Sequence, residues 1–278
     1  MPTNKLGIIA GGGALPGRLV RACRESGRPF FVLAIEGHAD AADIGADSPQ
    51  AWIRMGEAGS GIRALHEAGC RDLVMAGPVR RPTLADLRPD WRTARFFARL
   101  GLRALGDDGL LKALIAELEG EGFRVVGVDS ILTDLSPDLG PLGRHVPDEQ
   151  ARADIARAVA VCRTLGALDV GQAVVVQQGI VLGVEAVEGT DALLARCRDL
   201  ERSGPGGVLV KLCKPQQETR VDLPTVGPRT VENAVAAGLR GIALHAGRSI
   251  LVDREATLGR ADALGLFVVG VSGDEEPA

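Results

Sequence analysis

An α/β fold in two parts is what this 278-residue sequence predicts: a parallel sheet with helices on its faces, then a second mixed α/β unit of unusual topology. Three observations lead there. Short apolar runs alternate with segments of helical spacing through the first half, the pattern of strand–helix–strand units. A stretch rich in Pro and Gly, SPDLGPLGRHVP, breaks every periodicity near residue 136. Beyond it, strands and helices resume in a less regular order. The expected domains are residues 1–135 and 136–278.

In the first part LGIIA is a short strand that breaks into GGGALP, and PGRLVRACRES follows with helical spacing. FFVLAI is the next strand; a loop rich in Asp and Gly leads to the helix GIRALHEAG and the strand DLVMAG. Helices ending in LLKALIAELEG and the strand FRVVGV close the unit. The second part opens with the helix PDEQARADIARAV, where Pro147 suits a first turn and Asp148 and Glu149 favour the positive helix end. VVVQQG and IVLGVEA read as strands, TDALLARCRDL as a helix and GVLVK as a buried strand. The polar loop KLCKPQQETRVDLPTVG separates that strand from the helix VENAVAAGL. Strands GIALHA and SILV, a short helix and the strand LFVVGV follow, with GDEEPA a frayed tail.

Composition excludes several classes of function. A hydrophobic content of 46% with 24% charged residues is that of a globular chain, and a net charge of −4 supplies no basic field for nucleic acid. The start MPTNKLGIIAGGG does not read as a signal peptide, and no window approaches the roughly 18 apolar residues of a membrane span. The five cysteines (Cys23, Cys70, Cys162, Cys197, Cys213) are scattered without a C-x-x-C pair, so neither zinc nor a disulfide framework is expected. They read as small buried hydrophobes in a reducing cytoplasm.

Four stretches carry candidate chemistry. GGGALP, between a strand and a helix, has the placement of a phosphate-binding turn, with Gly11, Gly12, Gly13 and Ala14 offering backbone amides. Pro16 replaces the third glycine of the dinucleotide fingerprint, so a plain strand-to-helix turn is the competing reading. The polar loop is the stronger signal. If RVD is extended, Arg220 and Asp222 share a face, while Lys211 and Lys214 leave the end of a central strand. Thr225, Gly227 and Pro228 mark the next helix start, whose amides face the same place. Three cations and a helix N-terminus suit a diphosphate, and a single charged carboxylate among them suits a divalent metal or an oriented water. A solvated loop with local salt bridges is the bland alternative. In VEAVEGTDALLARC, Glu185, Glu188 and Asp191 surround a strand-to-helix turn, where acids either cap the helix or hold magnesium. Finally Arg92, Arg95, Arg99 and Arg103 fall on one helical face, either a solvated stripe or a contact for an anionic membrane.

LGIIAGGGALP, MAGPVRRP, VGQAVVV, VEAVEGTDALLARC and KLCKPQQETRVDLPTVGPRTVENA, in that order, resemble the LpxI-type UDP-2,3-diacylglucosamine pyrophosphatases of lipid A synthesis. The resemblance runs from residue 6 to about 271, and its most specific parts are EGTD and K-P-x-Q-x-x-R-x-D. It implies an N-terminal Rossmann-like domain and a C-terminal domain of unusual fold, gripping the substrate between them. It also implies magnesium-dependent hydrolysis of UDP-2,3-diacylglucosamine to UMP and 2,3-diacylglucosamine 1-phosphate (lipid X), with water attacking the sugar-side phosphorus.

On this resemblance Asp222 is the catalytic residue, supported by Lys214 and Arg220. Substrate contacts are expected from Gly11, Gly12, Gly13, Ala14, Gly77, Gln172, Glu188, Gly189, Thr190, Lys211, Thr225 and Gly227. Asp222, Asp191 and Glu188 are the expected magnesium ligands. A diacylated substrate implies a cytoplasmic protein working peripherally at the inner membrane, with a homodimer left open. An NAD-dependent oxidoreductase and a non-catalytic nucleotide-sugar-binding protein are the alternatives.

Overall fold

The computed structural model describes residues 4–79, 89–100 and 107–273. The chain forms two compact units, Met1–Leu132 and Thr133–Ala278.

In the first unit the strands are β1 (Leu6–Ala10), β2 (Phe30–Ile35), β3 (Gln50–Ile53), β4 (Asp72–Ala76) and β5 (Arg124–Val125). They lie in the order β3-β2-β1-β4-β5, with every pairing parallel. The helices are α1 (Leu15–Glu25), α2 (Ala41–Ile44), α3 (Ala58–Glu67), α4 (Trp91–Leu100) and α5 (Asp107–Gly120). The direction of winding reverses between β1 and β4, and in open α/β sheets the crevice outside the strand carboxyl ends at such a point is where ligands bind. Gly11–Gly13 follow β1 and Gly77 follows β4, so both turns stand at this reversal.

At the opposite end of the sheet Asp72 is buried and staples three segments. It accepts two bonds of 2.9 Å from Arg124, one of 2.7 Å from Arg28 and one of 3.4 Å from Asn4. Burial alone would raise its pKa, but the bonds from Arg124 and Asn4 and the two arginine charges hold it below the usual carboxylate range. β3 is a strand the sequence reading passes over as loop. Its four residues, QAWI, show no alternation and are drawn into the sheet by pairing with β2. Conversely, FRVVGV contributes only Arg124–Val125.

The arginine stripe finds partners within this unit. Arg92 pairs with Glu117 of α5 and with Glu121 just past its end, and Arg99 pairs with Glu117 at 2.9 Å. Arg103 lies outside the described residues. Trp91 is 82% exposed and Arg95, one turn on, is also exposed.

The second unit contains β6 (Gly140–Pro141), α6 (Glu149–Ala167), β7 (Ala173–Gln177), β8 (Ile180–Val184), α7 (Gly189–Cys197) and β9 (Gly207–Lys211). They are followed by β10 (Thr225–Val226), α8 (Pro228–Ala236), β11 (Leu239–His245), β12 (Ile250–Leu251), α9 (Arg254–Ala263) and β13 (Phe267–Val271). The main sheet runs β6-β13-β11-β9-β7-β8. Its centre, β13-β11-β9, is parallel and its other pairings are antiparallel. β10 and β12 pair separately as a short parallel ribbon.

Successive residues of β7 and β9 point to opposite faces. Val174, Val176, Val208 and Val210 pack on α6, through Ile155, Ala158, Val159 and Cys162. Ala173, Val175 and Leu209 pack on the other side with Leu193 and Leu194 of α7 and Val231 and Ala234 of α8. Covered on both faces, these strands are continuous apolar runs up to Gln177 and Lys211 at their ends, and do not alternate. The β7–β8 turn places Gln178 and Gly179 at φ of 51° and 75°. The wholly buried Asp154 of α6 accepts their N–H groups at 3.0 and 2.7 Å. Bonds to a charged acceptor contribute about 1.5–3 kcal/mol each, so this carboxylate anchors the hairpin to the helix.

Candidate active site

Register places the chemistry at one edge of the second sheet. Lys211, the last residue of β9, lies opposite Ala173, the first of β7, and Glu185 just past β8 donates its N–H to Ala173 O at 2.8 Å. Three chain segments therefore deliver Gln172, Glu185 and the loop after Lys211 to the same place. Leu212 N–H donates to Gln172 O at 2.9 Å and continues that pairing one residue beyond the strands.

The loop itself is two consecutive turns. Gln217 N–H donates to Lys214 O at 3.1 Å, and the N–H groups of Val221 and Asp222 both donate to Glu218 O, at 3.2 and 3.0 Å. The extended reading of RVD is thus corrected: Glu218 O gathers the following amides into a turn, and Arg220 folds back onto the Glu218 carboxylate through two bonds of 2.9 Å.

Side chains join into one connected chain of hydrogen bonds. Thr190 Oγ1 donates to Glu185 Oε1 at 2.5 Å, and Glu185 Oε2 accepts from Gln172 N–H at 3.2 Å. Gln217 Nε2 donates to Gln172 Oε1 at 3.1 Å and to Asp222 Oδ2 at 2.5 Å. Asp222 is therefore tied, through two amides, to the ends of β7 and β8.

Each of the three expected cations has a protein partner. Lys211 Nζ is buried and donates to Thr225 O at 3.0 Å. Burial pushes its pKa below that of a free lysine, against the raising influence of Glu185, Asp191 and Asp222. Lys214 Nζ pairs with Asp169 at 2.6 Å, and Arg220 pairs with Glu218. Among the described residues three cations therefore face four carboxylates, Asp169, Glu185, Glu218 and Asp222, so these side chains leave no surplus of positive charge.

The expected ligand trio Asp222, Asp191 and Glu188 is not assembled. Asp191 accepts from Arg229 and Asn233 at 2.8 and 3.0 Å and ties α7 to α8. Glu188 accepts from Ala186 N–H at 3.1 Å and from Arg196 at 2.9 Å. These bonds hold their pairs of oxygens, and Arg196 together with the backbone keeps Glu188 below the usual carboxylate range. Among the described residues no three His, Cys, Asp or Glu side chains stand together as a metal site. A site of three protein carboxylates does not fit. The oxygen donor Asp222 fits an ion that arrives with a diphosphate, since magnesium commonly takes one or two carboxylates and completes its shell with phosphate oxygens and water.

Gly189 starts α7 at φ 79°, and Gly227 caps α8 with extended backbone, its N–H 3.4 Å from Thr230 Oγ1. In the first unit the amides of Gly11 and Gly12 are already spent on Ala76 O and Pro78 O, at 2.8 and 2.9 Å. The N–H groups of Gly13 and Ala14 have no acceptor among the described residues, and they head α1. Gly77 sits at φ 90°, and a Cβ there would collide with Gly12 O.

Residues 5–135 match the LpxI N-terminal domain and residues 138–269 the LpxI C-terminal domain. This chain belongs to the LpxI family. The UDP-2,3-diacylglucosamine pyrophosphatase LpxI of Caulobacter vibrioides is 45% identical to it over 282 aligned positions, covering 99% of this chain and 100% of that one.

Within the LpxI signature of the second unit, sequence reasoning missed the residues that hold the loop in shape. Gln217 is buried at the centre of the hydrogen-bond chain, and the Q of K-P-x-Q was the available signal. Asp169, which takes Lys214, carries no charge pattern that points to the loop; Glu185, singled out with the EGTD acids, proves to link Thr190 to Gln172 beside it.

Proposed function

We propose that this chain hydrolyses the diphosphate of UDP-2,3-diacylglucosamine, giving UMP and 2,3-diacylglucosamine 1-phosphate. The observation that carries the reading is Asp222, a carboxylate held at the end of a central strand by a buried amide, inside the most specific stretch of an LpxI chain. Water adds its oxygen to the sugar-side phosphorus, the bond from that phosphorus to the bridging oxygen breaks, and the bridging oxygen leaves on UMP. Asp222 orients the attacking water and accepts its proton. Lys214 faces the developing charge; its bond to Asp169 uses one of three N–H donors. Magnesium held by Asp222 would neutralise charge on the phosphate oxygens.

The test is UMP release from UDP-2,3-diacylglucosamine in ¹⁸O-labelled water with magnesium present. Release with the label in the sugar phosphate is expected. No release would sink the assigned reaction, and label in UMP would move the attack to the other phosphorus.

The same reading places the chain in the cytoplasm at the inner membrane, because a diacylated substrate resides there. No helix among the described residues is long and apolar enough to cross a membrane. With Arg92 and Arg99 engaged by α5, the exposed pair Trp91 and Arg95 is what favours contact with an anionic surface. The double variant Trp91→Ala, Arg95→Gln is expected to bind anionic liposomes several-fold more weakly at low salt, since one basic residue contributes about 1 kcal/mol there. Equal binding by variant and parent would return α4 to an ordinary solvated helix.

A further inference from the structure

Gln217 is 6% exposed, and every polar position of its amide is used. Oε1 accepts from Lys214 N–H at 2.8 Å; Nε2 donates to Gln172 Oε1 at 3.1 Å and to Asp222 Oδ2 at 2.5 Å. A backbone N–H only donates, so the end of the amide against Lys214 is the oxygen and the end against Asp222 is the NH₂. The main chain, and not the carboxylate, thus fixes which way this side chain points.

We infer that Gln217 is a positioning residue for the hydrolysis, setting the direction of the Asp222 carboxylate. The inference rests on the reading of Asp222 as the reacting carboxylate. Asp222 belongs to a turn closed by a local bond, from its N–H to Glu218 O at 3.0 Å. Gln217 transfers its reference frame from that turn to the sheet. Its second proton goes to Gln172, whose N–H and C=O are pinned by Glu185 and Leu212 at 3.2 and 2.9 Å. Groups aimed by rigid elements stay within the narrow tolerance that catalysis needs, and a displacement of about 1 Å costs roughly 10²-fold in rate.

Gln217→Glu separates positioning from loop structure. The variant keeps an oxygen to accept the Lys214 N–H, and the shape of the side chain, but sets an acceptor where Nε2 donated to both Asp222 and Gln172. A positioning role predicts that kcat falls about ten- to a hundred-fold with KM within roughly twofold of the parent, while the buried like charges lower the melting temperature. Gln217→Met, which loses all three side-chain bonds, is expected to lower kcat and melting temperature together. A purely structural role would leave kcat of Gln217→Glu at the parent value, and that result overturns the inference. Should Gln217→Glu fail to fold, Gln172→Met decides alone: it leaves the Lys214 and Asp222 bonds of Gln217 in place, and a parent-level kcat overturns the inference. Asp222→Ala is measured alongside. If it turns over normally, the reading of Asp222 fails; if it is inactive while folded Gln217→Glu is normal, only the role of Gln217 fails.

Discussion

Asp222→Ala is expected to lower kcat by on the order of 10³-fold while substrate affinity stays within a few-fold of the parent. The asymmetry follows from the surroundings of the carboxylate. Asp222 carries negative charge beside a negatively charged substrate, so it adds little to ground-state binding; what it contributes is an acceptor aimed at the reacting water. On the proposed mechanism the donors to the diphosphate lie on other residues, Lys214 among them, and survive the change. Gln217 loses one of two acceptors but keeps Gln172 and the Lys214 N–H, so the turn should remain formed. Turnover measured at saturating substrate, together with equilibrium binding of substrate to the variant, separates the two quantities. A folded Asp222→Ala protein with parent-like kcat would remove Asp222 from the chemistry.

Chelating divalent cations is expected to lower turnover by at least about 10²-fold, with full recovery on adding magnesium. Charge balance is the argument. Lys214 and Arg220 are paired with Asp169 and Glu218, and Lys211 is turned inward to Thr225 O with a depressed pKa. Among the described residues Asp222 and Glu185 complete four carboxylates against those three cations, before a diphosphate brings further negative charge. Bringing these groups together without an added cation would set like charges side by side at the reacting phosphorus. Undiminished turnover in excess chelator would show that the protein's own cations suffice, and that they exchange partners when substrate binds.

Much of the architecture was legible because it is periodic. The alternation in the first half and the valine-rich strands of the second unit are local signals. What escaped was built by partners. β3 and β10 are strands of four and two residues that exist through pairing with β2 and β12. The site followed the same division. K-P-x-Q-x-x-R-x-D drew attention to the loop, but its charges were counted without Asp169, 45 residues before Lys214, or Glu185, which meets the loop across the sheet edge. The loop's conformation was misread for a related reason: Arg220 finds its carboxylate two residues back, and that short-range bond favours a turn over an extended strand.

The turns after β1 and β4 carry a consequence for anyone wishing to redesign selectivity. A methyl group at Gly11 would approach Gly77 O to 2.6 Å, and one at Gly77 would strike Gly12 O. Gly13 stands at φ 73°, where a side chain is strained whatever the space around it. At these positions the crevice can offer only main chain, and its vocabulary cannot be enlarged by substituting them. Ala14 is the first place where a larger group is admitted, being exposed and helical in backbone at φ −74°. A library aimed at new nucleotide-sugar preferences should therefore hold residues 11–13 and 77 constant and begin its variation at position 14.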